Sequence, residues 1–340
     1  MKIAIHHREG SFSERWIAYC KAKDIPYKVV NCFDNDIIDQ LQDCDALMWH
    51  HHHAKSKDVI AAKKILFSLE QAGVNVFPNF NSAWHFDDKV AQKYLLEAIG
   101  APLVSSFVFY DKKEALQWVK ETSFPKVFKL KGGASAANVS LVRTREQAIQ
   151  KINKAFGKGF PQFDKIANIK EKYRKYKEGK IGLTGYLKSL LRFMVPARFT
   201  NSSGREKGYV YFQEFVPNND HDIRIIIVDN KAFAIKRVVR KGDFRASGSG
   251  QIVFDREQIN IECVKIAFNV NKKIKAQSIA YDFVFDQNGN PLIIEISYGF
   301  AGAIYDACEG YWDENLNWFD EKVCPQQWMV DGILKSDVTK

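Results

Sequence analysis

The sequence predicts a parallel α/β unit followed by a mostly antiparallel α+β region, and three observations carry that prediction. Over residues 1–80 short apolar runs alternate with amphipathic helical stretches, the spacing of βαβ units. After Gly100 the runs become strand-like and follow one another closely. Finally, "SIAYDFVFDQNGNPLIIEIS" at 278–297 sets two apolar, β-branched and aromatic runs around Asn288-Gly289, the strongest short signal for a β-hairpin.

In order, "KIAIHH" and "YKVVNC" read as strands with the helix "SERWIAYCKAKD" between them, and "DALMWHH" and "VNVFPN" as strands around "DVIAAKKILFSLEQAG". Ligands of such sheets collect at the carboxyl ends of the strands. The next helix, "DDKVAQKYLLEAIG", takes Asp87 as N-cap and Gly100 as stop. The strands "SSFVFY", "KVFKLK" and "VSLV" follow, the last two joined by the glycine-rich "GGASAAN"; then come "YVYFQEFV", "DIRIIIVD" and "KAFAIKRVVR". The expected division is an α/β domain at 1–80, a small subdomain with the glycine loop at 81–150, an insertion at 151–208 and a larger subdomain at 209–340.

Composition narrows the function. Hydrophobic residues at 46% and aromatic residues at 13% suit a globular chain. The N-terminus runs into charge too soon for a secretory signal, and no apolar stretch approaches the ~18 residues of a transmembrane helix. Cysteines 20, 32, 44, 263, 308 and 324 show no C-x-x-C pairing, so reduced thiols in a cytoplasmic protein are expected. The net charge of +10 belongs to one segment. Residues 151–208 hold 15 Lys or Arg against 4 Asp or Glu, leaving 35 basic and 36 acidic residues elsewhere. Basicity therefore describes an insertion, and no nucleic-acid partner is expected. There is no G-x-G-x-x-G after the first strand and no G-x-x-x-x-G-K-[ST] anywhere, which speaks against a dinucleotide fold and a P-loop nucleotidase.

With Asn288 and Gly289 as the central turn residues, Gln287 faces Asn290, and the register sets Asp282 opposite Glu295. Val284, Ile293 and Ser297 then share the acidic face, while Tyr281, Phe283, Phe285, Leu292, Ile294 and Ile296 point into a core. Like charges roughly 4.5–5.5 Å apart at Cβ are destabilising, so the two acids need a positive neighbour. Either a Lys or Arg side chain supplies it, or a hard divalent cation held by oxygen ligands, magnesium being usual where phosphates complete the shell.

Two further stretches bear on that choice. Lys129 and Lys131 lie at the edge of "GGASAAN", where glycines let backbone N–H groups approach an anion and lysine adds a point charge for phosphate; taken alone, most such loops between strands are just turns. "YFQEFVPNNDHDIRIIIVDNKAFAIKRVVRKGDFRASGSG" then brings Glu214, Asp222, Arg224, Arg237 and Arg245 onto successive strands and turns. Basic groups on one side, a cation site on the other and a loop able to close over both make a triphosphate site.

In this order, "QEFVPNNDHDIR", "KGDFRAS" and "YDFVF…LIIEIS" resemble the ATP-grasp superfamily, in particular its branch similar to the ribosomal-protein glutamate ligases. The resemblance spans residues 80–300, with the first 80 fitting the α/β domain that precedes the ATP-grasp fold in that family. It implies ATP and magnesium as cofactors. It implies that Lys89 and Lys129 touch the ATP phosphates and that the loop of Gly132 and Gly133 closes over them. Glu214 and Phe215 would form the adenine hinge, partly through backbone groups, with Asp222 near the ribose. Arg245 would face the transferred phosphate with Arg237 beside it, and Asp282, Glu295 and Ser297 would hold magnesium. The sequence departs from the family at Ser297 and Ser247, where Asn is usual. Serine is a shorter, weaker ligand, which bears on the second metal position and on substrate geometry.

The activity so implied is ligation of a carboxylate to an amine through an acyl phosphate, releasing ADP, with small-molecule, peptide or glycan substrates. The rivals are a kinase of the same fold and a polyanion-binding module with a vestigial nucleotide site. Three other stretches read as follows. The four histidines of "MWHHHHAKSKD" alternate faces if extended, so they do not converge on a metal; one or two at the carboxyl end of the third strand suit an acidic substrate. "IGLTGYLKSLLRFMVPARF" at 181–199 covers a neighbouring domain, rests on an anionic membrane or forms a groove for an acidic polymer. The aromatic C-terminal segment packs on the core, with Asp306 and Glu309 following the metal hairpin closely enough to meet an amine.

Overall fold

The computed structural model describes residues 1–132, 138–161, 204–240 and 251–335, together with Tyr173, Tyr176, Gly182, Thr184 and Phe244. The basic stretch 181–199 otherwise lies outside the described residues. The chain forms two compact units, one of residues 1–86, 91–104 and 216–340, the other of residues 87–90 and 105–215.

The first 80 residues build the expected parallel sheet. Strands β1 (Ile3–His6), β2 (Tyr27–Val30), β3 (Ala46–Met48) and β4 (Asn75–Phe77) lie in the order β2-β1-β3-β4. Helices α1 (Phe12–Ala22), α2 (Ile37–Gln40), α3 (Ser56–Gln71) and α4 (Phe80–Ala83) connect them or follow them. Alternation along β1 and β3 decides which helix each residue meets. Ile3, Ile5, Ala46 and Met48 pack with Trp16 and Cys20 of α1, whereas Ala4 and Leu47 pack with Ala62, Leu66 and Leu69 of α3. Both faces are thus buried, as a parallel sheet requires.

Helix α5 (Lys89–Ala98) follows. Asp88 caps it, its Oδ1 accepting from the Val90 N–H at 3.1 Å. Asp87, the expected N-cap, instead adopts φ +57°, so the capping aspartate is one residue later. Gly100 ends the helix at φ +66°, with the Ala101 N–H returning to the Leu96 carbonyl at 2.9 Å.

The second sheet comprises β5 (Ser106–Phe109), β6 (Lys126–Lys129), β7 (Val139–Val142) and β8 (Val210–Glu214), antiparallel in the order β5-β8-β6-β7. Two helices that the strand-led reading misses cover one face: α6 (Lys112–Glu121), capped by Asp111, and α7 (Arg145–Ala155), capped by Thr144. Phe128, Val210 and Phe212 bury against Ala115, Val119 and Ile152 of these helices. By alternation Val127, Lys129, Tyr211 and Gln213 occupy the opposite face.

The third sheet is larger. Strands β9 (His221–Val228), β10 (Lys231–Val238), β11 (Ile252–Val253), β12 (Ser278–Phe285), β13 (Pro291–Ser297), β14 (Tyr311–Trp312) and β15 (Trp318–Phe319) give the order β13-β12-β9-β10-β14-β15, with β11 also on β10. One face carries Ile223, Ile225, Ile227, Tyr281, Phe283 and Ile296 against α8 (Ile261–Ile274). The other carries Ile226, Val228, Phe233, Ile235 and Ala280 against Trp16 and against Trp328 and Met329 of α9 (Pro325–Lys335).

The hairpin pairs Asp282 with Glu295, as expected, but along a different route. The loop has three residues, not two: the Gly289 N–H reaches the Asp286 carbonyl, and the Asp286 N–H reaches the Asn290 carbonyl, both at 3.0 Å. Asp286 favours this turn because its Oδ1 accepts from the Asn288 and Asn290 N–H groups at 2.8 Å each. Gln287 therefore does not face Asn290, and the strand begins one residue out of the expected register. A β-bulge between Asp282 and Phe283 restores it, with Ile294 as the extra residue. In consequence Ile293 pairs with Phe283 and is buried in the α8 core, while Leu292 and Ile294 are only half-buried.

Tyr281 is fully buried on that core face, and its hydroxyl has no hydrogen-bond partner among the described residues. Desolvating a hydroxyl without compensation costs stability. Tyr281→Phe is therefore expected to raise the unfolding free energy by about 1 kcal/mol, read as a higher urea midpoint at unchanged m-value; a lower midpoint would show that the hydroxyl is satisfied.

Candidate functional site

The β9, β10, β12 and β13 strands assemble a charged row on the face away from α8. Register places Glu295 opposite Asp282, Asp282 opposite Arg224, and Arg237 opposite Asp222. Asp222 and Arg224 are two apart on β9 and so share that face. Arg224 grips Asp282 in a bidentate pair, Nε to Oδ1 at 2.5 Å and Nη2 to Oδ2 at 2.7 Å. Arg237 grips Asp222 likewise, at 2.6 and 2.7 Å, and its Nη2 also lies 3.0 Å from Asp282 Oδ1. Tyr305, from a 3-10 turn at Gly302–Ala307, hydrogen-bonds Arg224 from outside the sheet.

Asp222, Asp282 and Arg237 are each at most 7% exposed, so desolvation is severe; at Asp222 burial outweighs the pairing with Arg237 and raises the carboxyl. Burial pushes the Asp282 carboxyl up, but Arg224 and Arg237 outweigh it and hold it well below the usual carboxylate range. Asp282 accordingly needs no metal to be tolerated opposite Glu295, because two arginines already offset it. Of the two positive neighbours the sequence admits, the side-chain cation is the one present at Asp282.

A hard cation nevertheless fits this end of the row. Asp282, Glu295 and Ser297 offer only oxygen donors from two adjacent strands, the ligand chemistry magnesium takes. A carboxylate has about four lone-pair sites, and the arginines use three at Asp282, leaving room for one metal bond. The Ser297 hydroxyl donates to the Gly299 carbonyl at 2.9 Å, which leaves its oxygen able to act as a ligand.

Other expected residues fall in the second unit. Lys89 and Lys129 are 4% and 6% exposed, deep burial for ammonium groups. The Lys89 N–H meets the Lys131 carbonyl at 2.9 Å, fixing the start of α5 beside the entry to the glycine loop. Gly132 sits where a Cβ would come within 3.2 Å of Asp87 Oδ2, a close approach that favours glycine. Gly133, Arg245 and Ser247 lie outside the described residues.

Glu214 is placed differently from a base-reading side chain. It pairs with Lys126, sharing that residue's face and not that of Lys129, and both its oxygens accept from Lys126 Nζ, at 2.7 and 2.8 Å. Whatever Glu214 offers on the Lys129 face must come from its backbone. Phe215 follows directly and is half-buried. Polar side chains on the Lys129 face include Gln213 and Tyr211, which donate to Ser106 Oγ at 3.1 and 2.9 Å. Sequence reasoning overlooks Lys126 because its partner lies 88 residues away. The signal for Arg224 is stronger, since alternation alone puts it beside Asp222.

Comparisons with known proteins bear on the fold. Residues 200–301 match the model of the RimK-like ATP-grasp domain. A RimK domain ATP-grasp protein from Sphaerobacter thermophilus is 13% identical, with 98% of this chain and 100% of that one covered at a TM-score of 0.55. The chain has the ATP-grasp fold. Similar ATP-grasp structures include a D-alanine–D-alanine ligase from Bacillus anthracis complexed with ATP, 12% identical over 100% of this chain and 97% of that one, TM-score 0.56. Another is the ATP-grasp ligase PsnB with a minimal precursor, Mg and ADP, 12% identical over 98% and 97%, TM-score 0.55. No curated protein matches the sequence.

The Lys126–Glu214 pair is asymmetric, the lysine side chain being 2% exposed and the glutamate 38%. Removing the carboxylate strands a buried ammonium, whereas an apolar side chain in place of the lysine strands nothing buried. Glu214→Gln is expected to cost about 2 kcal/mol, discounted for solvent screening, and Lys126→Met less than about 1 kcal/mol. Urea denaturation of both variants checks the order, and a larger loss from Lys126→Met would contradict it.

Proposed function

We propose that the protein is a magnesium- and ATP-dependent ligase that activates a carboxylate as an acyl phosphate and transfers the acyl group to an amine. The observation that carries this reading is the charged row, in which two acids for a cation, and Arg237 for an anion, are held on one sheet face by paired strands.

In this reading Lys89 and Lys129 bind the ATP phosphates, and the backbone of Glu214 and Phe215 meets the base. Asp282 and Glu295 hold magnesium, with Ser297 as a further oxygen; the metal, when bound, shields the phosphate charge. Arg237 is fixed by Asp222, which makes Asp222 a positioning residue in place of a ribose contact, and Arg237 serves with Arg245 near the transferred phosphoryl group. The substrate carboxylate oxygen forms a bond to the γ-phosphorus as the bond to ADP breaks. The amine nitrogen then attacks the acyl carbon, phosphate leaves, and the nitrogen loses a proton. Preorganised positive groups that need no reorganisation at the moment of transfer lower such barriers, and exclusion of water protects the acyl phosphate. The solved neighbours include a D-alanine–D-alanine ligase and a ligase with a precursor peptide, which favours amino acids and peptides over a glycan sugar acid as substrates.

Hydroxylamine trapping tests the reaction type. With ATP, magnesium and a pool of amino acids or short peptides, ADP and an acyl hydroxamate are expected together, and Glu295→Gln should lower the rate about 100-fold or more. A phosphorylated product without hydroxamate would mean a kinase.

A further inference from the structure

The carboxyl ends of β1 and β3 are neighbours, and His6, Arg8, His50 and His52 beyond them have no part in the roles given above. Each of the three histidines accepts a main-chain N–H at Nδ1: His6 from Cys32 at 3.0 Å, His50 from Phe12 at 3.1 Å, and His52 from Ala54 at 3.1 Å. A ring that accepts at Nδ1 is neutral and carries its proton at Nε2. The backbone thereby presets N–H donors at His50 and His52, while the His6 ring also meets the Val30 carbonyl. The electrostatics agree, since burial first, with Arg8 among the neighbouring charges, lowers all three, His6 and His52 to about 4.

Arg8 is half-buried and makes no ion pair among the described residues. The hydrogen bond of its guanidinium there is a long one, from Nη2 to the His50 carbonyl at 3.5 Å. The nearby Asp58 spends its Oδ2 on the His52 N–H at 2.7 Å. A guanidinium surrounded by neutral rings that present N–H groups is a set of donors lacking an acceptor. The end of β13 comes to the same place, for a Cβ at Gly299 would stand 3.6 Å from His50 Nε2. Gly299 is four residues from Glu295.

We propose that Arg8, with the Nε2–H groups of His50 and His52, binds a substrate carboxylate other than the one activated. The amine-bearing substrate is then an amino acid or a peptide with a free carboxylate. One guanidinium, partly offset by Asp58, balances a monoanion and falls short of a phosphate dianion. The fork of arginine suits the two oxygens of a carboxylate. The term substrate rests on the ligase reading, whereas the anion site does not.

Sodium acetate is the probe, titrated at constant ionic strength into protein labelled with ¹⁵N-histidine. The ring spectra should show Nε2–H tautomers at His6, His50 and His52, with saturable acetate shifts at His50 and His52. Arg8→Lys, which keeps the charge and loses the fork, should weaken binding roughly tenfold, and Arg8→Gln should abolish it. Glu295→Gln should bind acetate as the wild type does, so a failed ligase reading and a failed anion site are told apart. In the ADP-release assay, amino acids should be used in preference to their carboxamides. Protonated Nδ1 atoms, unsaturable shifts, tighter binding of inorganic phosphate than of acetate, wild-type acetate affinity in Arg8→Lys, or equal use of acids and amides would each overturn the proposal.

Discussion

Two aspartates and Arg237, nearly sealed from water in the middle of a sheet, together with half-buried Arg224, set the terms for the larger unit. Arg224 with Asp282 and Arg237 with Asp222 sit on neighbouring strands, and the contact from Arg237 to Asp282 joins the pairs. None of these charges is affordable alone at this burial, so β9, β10 and β12 must stand in one register for any to be tolerated. Ile226 and Val228 enforce that register, because a one-residue slip would turn them away from the Trp16 core and would turn Asp222 and Arg224 into the α8 core. Function and fold thus draw on the same constraint.

The network also explains what a cation would do here. Asp282 is already compensated, and Glu295 extends the row by one strand. A metal at this end would share Asp282 with the arginines and meet Glu295 as its other carboxylate. Loss of Glu295 should therefore affect ligand binding far more than folding, while loss of Asp282 would disturb both.

Much of this was legible in the sequence where periodicity is local. The parallel sheet follows from alternating apolar runs, and the resemblance to the ATP-grasp family rests on motifs that occur in order. The pairing of Asp282 with Glu295 was legible only because two errors cancel: the three-residue turn at Gln287–Gly289 shifts the register, and the bulge at Ile294 shifts it back. Asp286 signals the turn, but nothing local signals the bulge, which answers to the core that takes Ile293. The capping of α5 by Asp88 and the helices α6 and α7 escaped for a related reason: adjacent aspartates compete for one cap, and α6 and α7 are short, lysine- and glutamate-rich and low in apolar content beside the strand-like runs that flank them. Lys126 with Glu214 could not be read at all, since register between distant strands leaves no trace in either one. The histidine tautomers belong to the same class, being set by main-chain N–H groups of other segments.

The central claim is that the acidic end of the charged row holds a cation together with nucleotide. A thermal-shift titration with a non-hydrolysable ATP analogue, with and without magnesium, on the wild type and on Glu295→Gln, tests it most directly. Ligand at 100 times its dissociation constant adds about 2.7 kcal/mol to stability, a readily seen rise in melting point. The account predicts a magnesium-dependent rise in the wild type that Glu295→Gln loses, with the two unliganded proteins melting close together. An equal rise in both proteins, or none in the wild type, would contradict it.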